Sequence, residues 1–113
     1  MSRHPARYHF FGRARIRLLI DDTSVDACIA NISFSGVGLY AAISVPNNRQ
    51  VKIKISFFDG DGKIQTSSIE GKTVWHSKLG NFYLMGIRYD KQITAANQPS
   101  LFKRLMTLRN RRI

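Results

Sequence analysis

The chain has 113 residues, of which 43% are hydrophobic, and its 18 Lys and Arg against 7 Asp and Glu give a formal net charge of +11 at pH 7. This length suits one domain with a single core, which excludes a two-domain enzyme, and the hydrophobic content excludes a disordered basic tail. The excess charge lies at the ends: residues 1–20 hold five arginines, residues 91–113 hold six basic residues, neither holds an acid, and the stretch between them is neutral.

Arginine supplies nine of these eleven terminal bases. Its planar fork suits bidentate contact with a phosphate or a guanine edge. The distribution therefore indicates an anionic partner near the termini. An equally good explanation is that the terminal bases only keep a small domain soluble.

Cysteine usage and hydropathy indicate the compartment. The single cysteine, Cys28, excludes an internal disulfide and a zinc-thiolate cluster and favours a reducing environment. No apolar run approaches the roughly 20 residues of a membrane span, and the N-terminus lacks the apolar core of a signal peptide. We therefore expect a cytoplasmic protein.

Six segments have the composition and alternation of strands. They are residues 13–20, 25–32, 37–42, 51–57, 63–77 and 82–89. In the first segment, alternation is expected to place one apolar set on the buried face and the arginines outside. That set is Ala14, Ile16, Leu18 and Ile20.

Turn signals separate several of these strands. Residues 33–36 predict a hairpin between the second and third segments, and the run Asp59-Gly60-Asp61-Gly62 is the strongest tight-turn signal in the chain. Gly71 interrupts the long fifth segment and is expected to mark a bulge or a barrel corner.

From Gln98 onward the apolar spacing becomes helical. Pro99 suits the first helical turn, and the apolar stripe comprises Leu101, Phe102, Leu105, Met106 and Leu108. Six short strands followed by one helix predict an all-β dominated fold, an antiparallel barrel or sandwich with a C-terminal α-helix packed against it.

No catalytic constellation is visible, so we predict that the protein is not an enzyme and holds no metal or cofactor. The three histidines are dispersed, and no Ser/His/Asp or paired-carboxylate spacing stands out. The Asp59 turn superficially resembles a calcium loop, but helical flanks are missing and Glu70, at the twelfth position, follows strand-like residues.

Two short motifs occur in order near the start of the chain. Arg3-His4-Pro5-Ala6-Arg7 places two arginines four apart in a segment that proline keeps from being helical. Asn31-Ile32-Ser33-Phe34-Ser35-Gly36 follows about one strand later. Together they resemble the RxxxR and (D/N)xSxxG signature of the PilZ domain. Residues 71–75 and 84–89 are similar to the last two strands of that family, so the resemblance covers nearly the whole chain.

Each motif has an ordinary interpretation when taken alone. Arg13 and Arg17 form a second RxxxR inside the first predicted strand, where they suit a solvated face. Asn-x-Ser-x-x-Gly is typical of a turn in which Asn or Ser bonds its own backbone. We prefer Arg3 and Arg7 because the family places its arginine pair in the segment before the barrel.

The resemblance implies a six-stranded β-barrel that binds cyclic di-GMP, a bacterial second messenger. It assigns ligand binding to five residues of the two motifs: Arg3, Arg7, Asn31, Ser33 and Gly36. The arginines would meet phosphates or guanine edges, Asn31 and Ser33 would offer compact polar groups, and Gly36 would allow close approach of the backbone. Trp75, the single tryptophan, is expected either in the core or, as in some family members, beside the ligand.

The resemblance also divides the chain into a flexible ligand-binding segment (1–12), a PilZ barrel (13–97) and a basic amphipathic helix (98–113). Ordering of the first segment on ligand binding would relay the signal to a separate, unidentified protein partner. Regulation of motility, biofilm or exopolysaccharide is what the family implies. Ser2 stands where many members carry a further arginine, which leaves open whether one or two ligand molecules bind.

Two alternatives remain open at this point. A small basic β-barrel could bind RNA or single-stranded DNA through the terminal arginines and aromatic residues such as Tyr8, Phe10 and Phe11. A PilZ-like adaptor that no longer binds ligand would show neither activity.

Overall fold

A computed structural model describes residues 12–110 and confirms the predicted fold class. The elements are β1 (Gly12–Leu18), β2 (Ser24–Ile32), β3 (Gly36–Ala41), β4 (Gln50–Phe58), β5 (Ile64–Leu79), β6 (Phe82–Tyr89) and α1 (Pro99–Asn110). The strands form a closed antiparallel barrel in the order β1-β2-β3-β6-β5-β4. Closure gives each strand a hydrogen-bonded neighbour on both sides, which removes the sheet edges.

Alternate side chains fill the barrel, as the period-two pattern predicts. Ala14 and Ile16 of β1 are buried beside Ile53 and Ile55 of β4. The expectation for Ile20 is wrong, because this side chain is 76% exposed. The strand ends at Leu18, whose N–H donates to the Thr23 carbonyl at 2.9 Å, so the chain has already turned before Ile20 can pair.

The predicted tight turn joins β4 to β5. The Asp59 N–H donates to the Lys63 carbonyl at 2.8 Å, and Asp59 Oδ1 accepts the N–H of Asp61 at 2.9 Å and of Lys63 at 3.0 Å. The amide of Gln65 donates to the other carboxylate oxygen at 2.8 Å. These hydrogen bonds, that from Gln65 above all, hold the pKa of Asp59 below its ordinary value.

Helix α1 packs against the end of the barrel that carries the β2–β3 turn. Leu101 and Leu105 of the predicted stripe are fully buried, and Phe102 meets the ring of Phe34 edge-on with centroids 5.6 Å apart. Phe34 lies in that turn, and its carbonyl accepts the N–H of Ile93 at 2.8 Å. Between residues 12 and 110, no helix is long and apolar enough to cross a membrane.

Two β-bulges interrupt the barrel, and neither is at Gly71. One lies at Ala30 in β2 and the other at Val74 in β5, where the register shifts by one residue. Gly71 pairs in regular register, and a Cβ there would lie 2.5 Å from the carbonyl oxygen of Arg88. The absence of a side chain at Gly71 therefore permits close approach of β6. The irregularity in β5 comes three residues later, at Val74.

Candidate functional site

The bulge in β2 decides which way Asn31 faces. Ile29 points into the core, so unbroken alternation would also turn Asn31 inward. Because Ala30 is the extra residue of the bulge, Ile32 becomes the next core residue, with no exposed surface. Asn31 consequently lies on the outer face of the barrel, where its side chain is half-buried.

The bulge in β5 does the same for Trp75. Thr73 is buried, and its hydroxyl donates to the Pro46 carbonyl at 2.6 Å. With Val74 as the extra residue, Trp75 pairs with Gly86 and faces outward with 40% of its surface exposed. The interpretation of Trp75 as a core residue is therefore wrong.

These two outward-facing residues end a row that crosses four strands. Asn31 of β2 lies opposite Gly38 of β3, Gly38 lies opposite Gly86 of β6, and Gly86 lies opposite Trp75 of β5. We call these four residues the Asn31–Trp75 row and the two central ones its glycine floor. The row has a polar amide at one end, an indole at the other, and two buried glycines between them.

The glycine floor is needed by the residues that flank it. A Cβ on Gly38 would lie 2.9 Å from Asn31 Oδ1, and a Cβ on Gly86 would collide with Nε1 of Trp75. The amide and the indole therefore lean over the two glycines, which only residues without a side chain allow. The five-membered ring of Trp75 rests on Gly86, and the exposed remainder of the indole offers an aromatic surface to a ligand.

The β2–β3 turn adjoins the row and contains two further predicted residues. Ser33 is 1% exposed, and its hydroxyl oxygen accepts the N–H of Ser35 at 3.2 Å and of Gly36 at 3.1 Å. A Cβ on Gly36 would lie 2.6 Å from the Ile87 carbonyl oxygen. Ser33 thus shapes the turn, and Gly36 allows β3 and β6 to approach each other.

The chain contains two arginine pairs that match the RxxxR motif. Arg3 and Arg7 lie outside the described residues. Arg13 and Arg17, the second pair, are exposed on the outer face of β1, and Arg17 meets Asp22 at 3.4 Å. This geometry fits the interpretation of the second pair as a solvated face.

Sequence reasoning missed Gly38, Gly86 and Arg88 as residues of this surface. Arg88 is exposed on β6, opposite Gly36 on one side and Lys72 on the other. A signal for the two glycines was present, because glycine inside a strand weakens it and often marks close approach of another group. Their partnership with Asn31 and Trp75 depends on strand order, which no local pattern reveals.

Two other kinds of site on the described surface would be a metal-binding cluster and an apolar groove. In the described part of the chain, no three His, Cys, Asp or Glu side chains cluster so that they could hold a metal ion. A groove of about 560 Å³ lies beside the start of β1, and its lining includes Gly12, Cys28, Phe57 and Ile64. That groove is largely apolar and contains neither Asn31 nor Trp75.

Three solved structures share this fold at low sequence identity. Bacillus subtilis Inhibitor of motility (MotI/DgrA) matches with a TM-score of 0.75 and 14% identity, over 100% of this chain and 54% of that protein. The PilZ domain of Escherichia coli YcgR, in a structure with c-di-GMP, matches with a TM-score of 0.71 and 11% identity, over 97% of this chain and 93% of that one. MrkH of K. pneumonia in its apo state matches with a TM-score of 0.67 and 16% identity, over 97% of this chain and 51% of that one.

The chain thus spans about half the length of two of these proteins. No curated protein matches its sequence significantly. The PilZ domain, as a sequence family, matches residues 2–107, which is almost the entire chain. The protein therefore belongs to the PilZ domain family.

Proposed function

We propose that this protein is a non-enzymatic receptor for cyclic di-GMP. The observation that carries the proposal is the Asn31–Trp75 row, in which an amide and a partly exposed indole lie over two buried glycines on the outer face of the barrel. Support also comes from the PilZ domain of YcgR, which shares the fold and whose structure includes c-di-GMP.

The chemistry of the row suits the two guanines and two phosphates of this ligand. A base stacked on the exposed indole of Trp75 contributes about 1–3 kcal/mol. The Asn31 amide carries both donors and an acceptor, so it can pair with a guanine edge. Arg3 and Arg7 complete the site in this proposal by bidentate contact with phosphate. Ser33 and Gly36 belong to it as residues that hold the adjoining turn in shape.

The output in this proposal is a change in the N-terminal segment. Binding orders the N-terminal residues that precede β1 over the ligand, and the ordered segment presents a new surface to a separate protein partner. The protein acts in the cytoplasm of a bacterium and regulates motility, biofilm or exopolysaccharide formation. It needs no catalytic group or cofactor for this role.

Calorimetric titration of cyclic di-GMP into the full chain tests the proposal. We expect Trp75→Ala to weaken binding by about tenfold or more, since it removes the stacking surface. Arg7→Ala should weaken binding by a similar factor through the loss of a charge-assisted phosphate contact. Phe82→Ala is the matched control, because Phe82 is 54% exposed on β6 and lies off the glycine floor. It should bind as the wild type does.

Two results would contradict the proposal. One is absence of cyclic di-GMP binding by the wild type, which would favour the adaptor. The other is tight, strongly salt-dependent binding of a mixed-sequence single-stranded oligonucleotide with no preference for the cyclic dinucleotide, which would favour the nucleic-acid barrel.

A further inference from the structure

We infer that Arg88 is a further ligand-binding residue, which contacts a phosphate of the cyclic dinucleotide from the barrel itself. The inference rests on the proposed function and adds a cation that the family's two motifs do not contain. Its basis is the position of Arg88 next to the glycine floor and the balance of charge around it.

Arg88 follows Gly86 at the next outward position of β6. Side chains on one face of a strand alternate, so Gly86 and Arg88 face the same way with Cα atoms about 7 Å apart. Arg88 lies opposite Gly36, which has no side chain beside the guanidinium on the outer face. The two glycines of the floor are themselves buried beneath the Asn31 amide and the Trp75 indole. A ligand over the row would therefore contact those two side chains, with Arg88 at the next outward position of β6.

The charges around Arg88 leave its guanidinium available. Among residues 12–110, no carboxylate lies within 4.0 Å of it, since the ion pairs there join Arg15 to Asp26 and Arg17 to Asp22. The nearest outward acid along β6 is Asp90, whose carboxylate accepts a hydrogen bond from the Gln50 amide at 2.5 Å. Lys72, directly across on β5, adds a second positive charge.

Arg88 is a stronger candidate than Lys72 because of its side-chain chemistry. Each has an acid two residues away on the same outward face, Glu70 for Lys72 and Asp90 for Arg88, so neighbouring acids do not separate them. Arginine suits phosphate better than lysine, because its fork makes two parallel hydrogen bonds.

An arginine carried on a strand has an energetic advantage over one carried on a terminal segment. Its backbone is already fixed by pairing with Gly36 and Lys72, so binding orders only the side chain. Arg3 and Arg7, by contrast, are expected to be ordered together with their segment when ligand binds.

The test compares three variants of the full chain by calorimetric titration with cyclic di-GMP. We expect Arg88→Gln to raise Kd about tenfold or more, because a hydrogen-bonded charged partner is lost. Arg88→Lys keeps the charge without the fork, so it should recover part of the affinity. Arg17→Gln is the matched control: it removes one arginine from the outer face of β1 and should leave Kd within twofold of the wild type.

The possible outcomes distinguish a failure of the role of Arg88 from a failure of the proposal that the protein is a cyclic di-GMP receptor. One outcome would contradict only the role of Arg88. In it, Arg88→Gln and Arg17→Gln bind cyclic di-GMP as tightly as the wild type, while Trp75→Ala binds more weakly. The receptor proposal would then stand. If the wild type does not bind, both are wrong. Thermal unfolding of Arg88→Gln should match that of the wild type, because the side chain is exposed. A lowered midpoint with unchanged Kd would assign Arg88 a structural role instead.

Discussion

The outer surface of the barrel has two contrasting faces. On β1 and β4, arginine and lysine alternate with core residues and face each other directly, Arg15 opposite Lys54 and Arg17 opposite Lys52. On β2, β3, β6 and β5, the Asn31–Trp75 row has a glycine floor with an amide and an indole leaning over it. The first face is rich in charge, and the second is defined by missing side chains.

With the Asn31–Trp75 row as the proposed site, this contrast implies that charge density alone does not locate the site. The arginines of β1 are largely satisfied at the surface, since Arg15 meets Asp26 at 3.0 Å and Arg17 meets Asp22 at 3.4 Å. Exposed pairs of this kind contribute little to stability or to recognition. On the second face, two glycines lower the stability of their strands. Glycine at such positions is expected where another group must approach the backbone closely.

The largest expected effect comes from adding a side chain to Gly36, where β3 and β6 lie too close together to accommodate one. Gly36→Ala places a Cβ 2.6 Å from the Ile87 carbonyl oxygen, so the backbones of β3 and β6 must separate. Overpacking of this kind costs about 1–3 kcal/mol, which lowers the thermal midpoint by several degrees. Gly60→Ala is the control, because a Cβ there meets no atom within 4 Å. Equal midpoints for the two variants would show that β3 and β6 are not held this close.

A smaller effect is expected from changing a charge on the opposite face. Lys54→Glu converts a like-charge pair with Arg15 into an opposite-charge pair, which should stabilise the fold by about 0.2–1 kcal/mol at low salt. The gain should shrink in 1 M salt because of screening. Lys78→Glu, opposite Tyr83, makes the same change in net charge without a charged partner across the strand. If both variants gain equally, overall charge rather than pairing is responsible. Cyclic di-GMP affinity should not change in Lys54→Glu.

The smallest effect concerns the β4–β5 turn, which connects the two faces. The pKa of Asp59 is lowered in the folded state by its hydrogen bonds, so the stabilisation is complete above the ordinary value of 3.8 and is lost as the pH falls through the lower folded-state value. Urea midpoints at pH 7 and pH 3 should therefore differ more in the wild type than in Asp59→Asn. Asp61→Asn is the control, since the Asp61 carboxylate accepts no hydrogen bond from a described residue; it should retain the wild-type difference.

Much of the fold could be predicted because its signals are local. The alternation in residues 51–57 requires only that one side of a strand be buried, and the apolar stripe around Leu101 and Leu105 requires only helical geometry. The Asp59 turn likewise depends on hydrogen bonds within five residues of chain. The error at Ile20 has a local cause too, since alternation continues in the sequence after the strand has ended.

The site was harder to predict because its residues meet only through pairing. Asn31 was identified from a motif and Trp75 from the family resemblance, but their outward orientation depends on extra residues at Ala30 and Val74. A bulge is a mismatch between two strands, and neither strand alone carries a reliable sign of it. Gly71 was expected to mark a bulge or a barrel corner, and the bulge alternative is wrong for this reason.

The sequence by itself determined the six strands, the terminal helix and the family, because alternation, turn residues and ordered motifs are properties of the chain read in one direction. Only the tertiary structure decided that Asn31, Gly38, Gly86 and Trp75 form one row and that Arg88 stands beside it. The physical reason is the strand order β2-β3-β6-β5, which brings together residues up to 55 positions apart in the numbering. Two bulges then turn the Asn31 and Trp75 side chains outward, where they cover the two glycines.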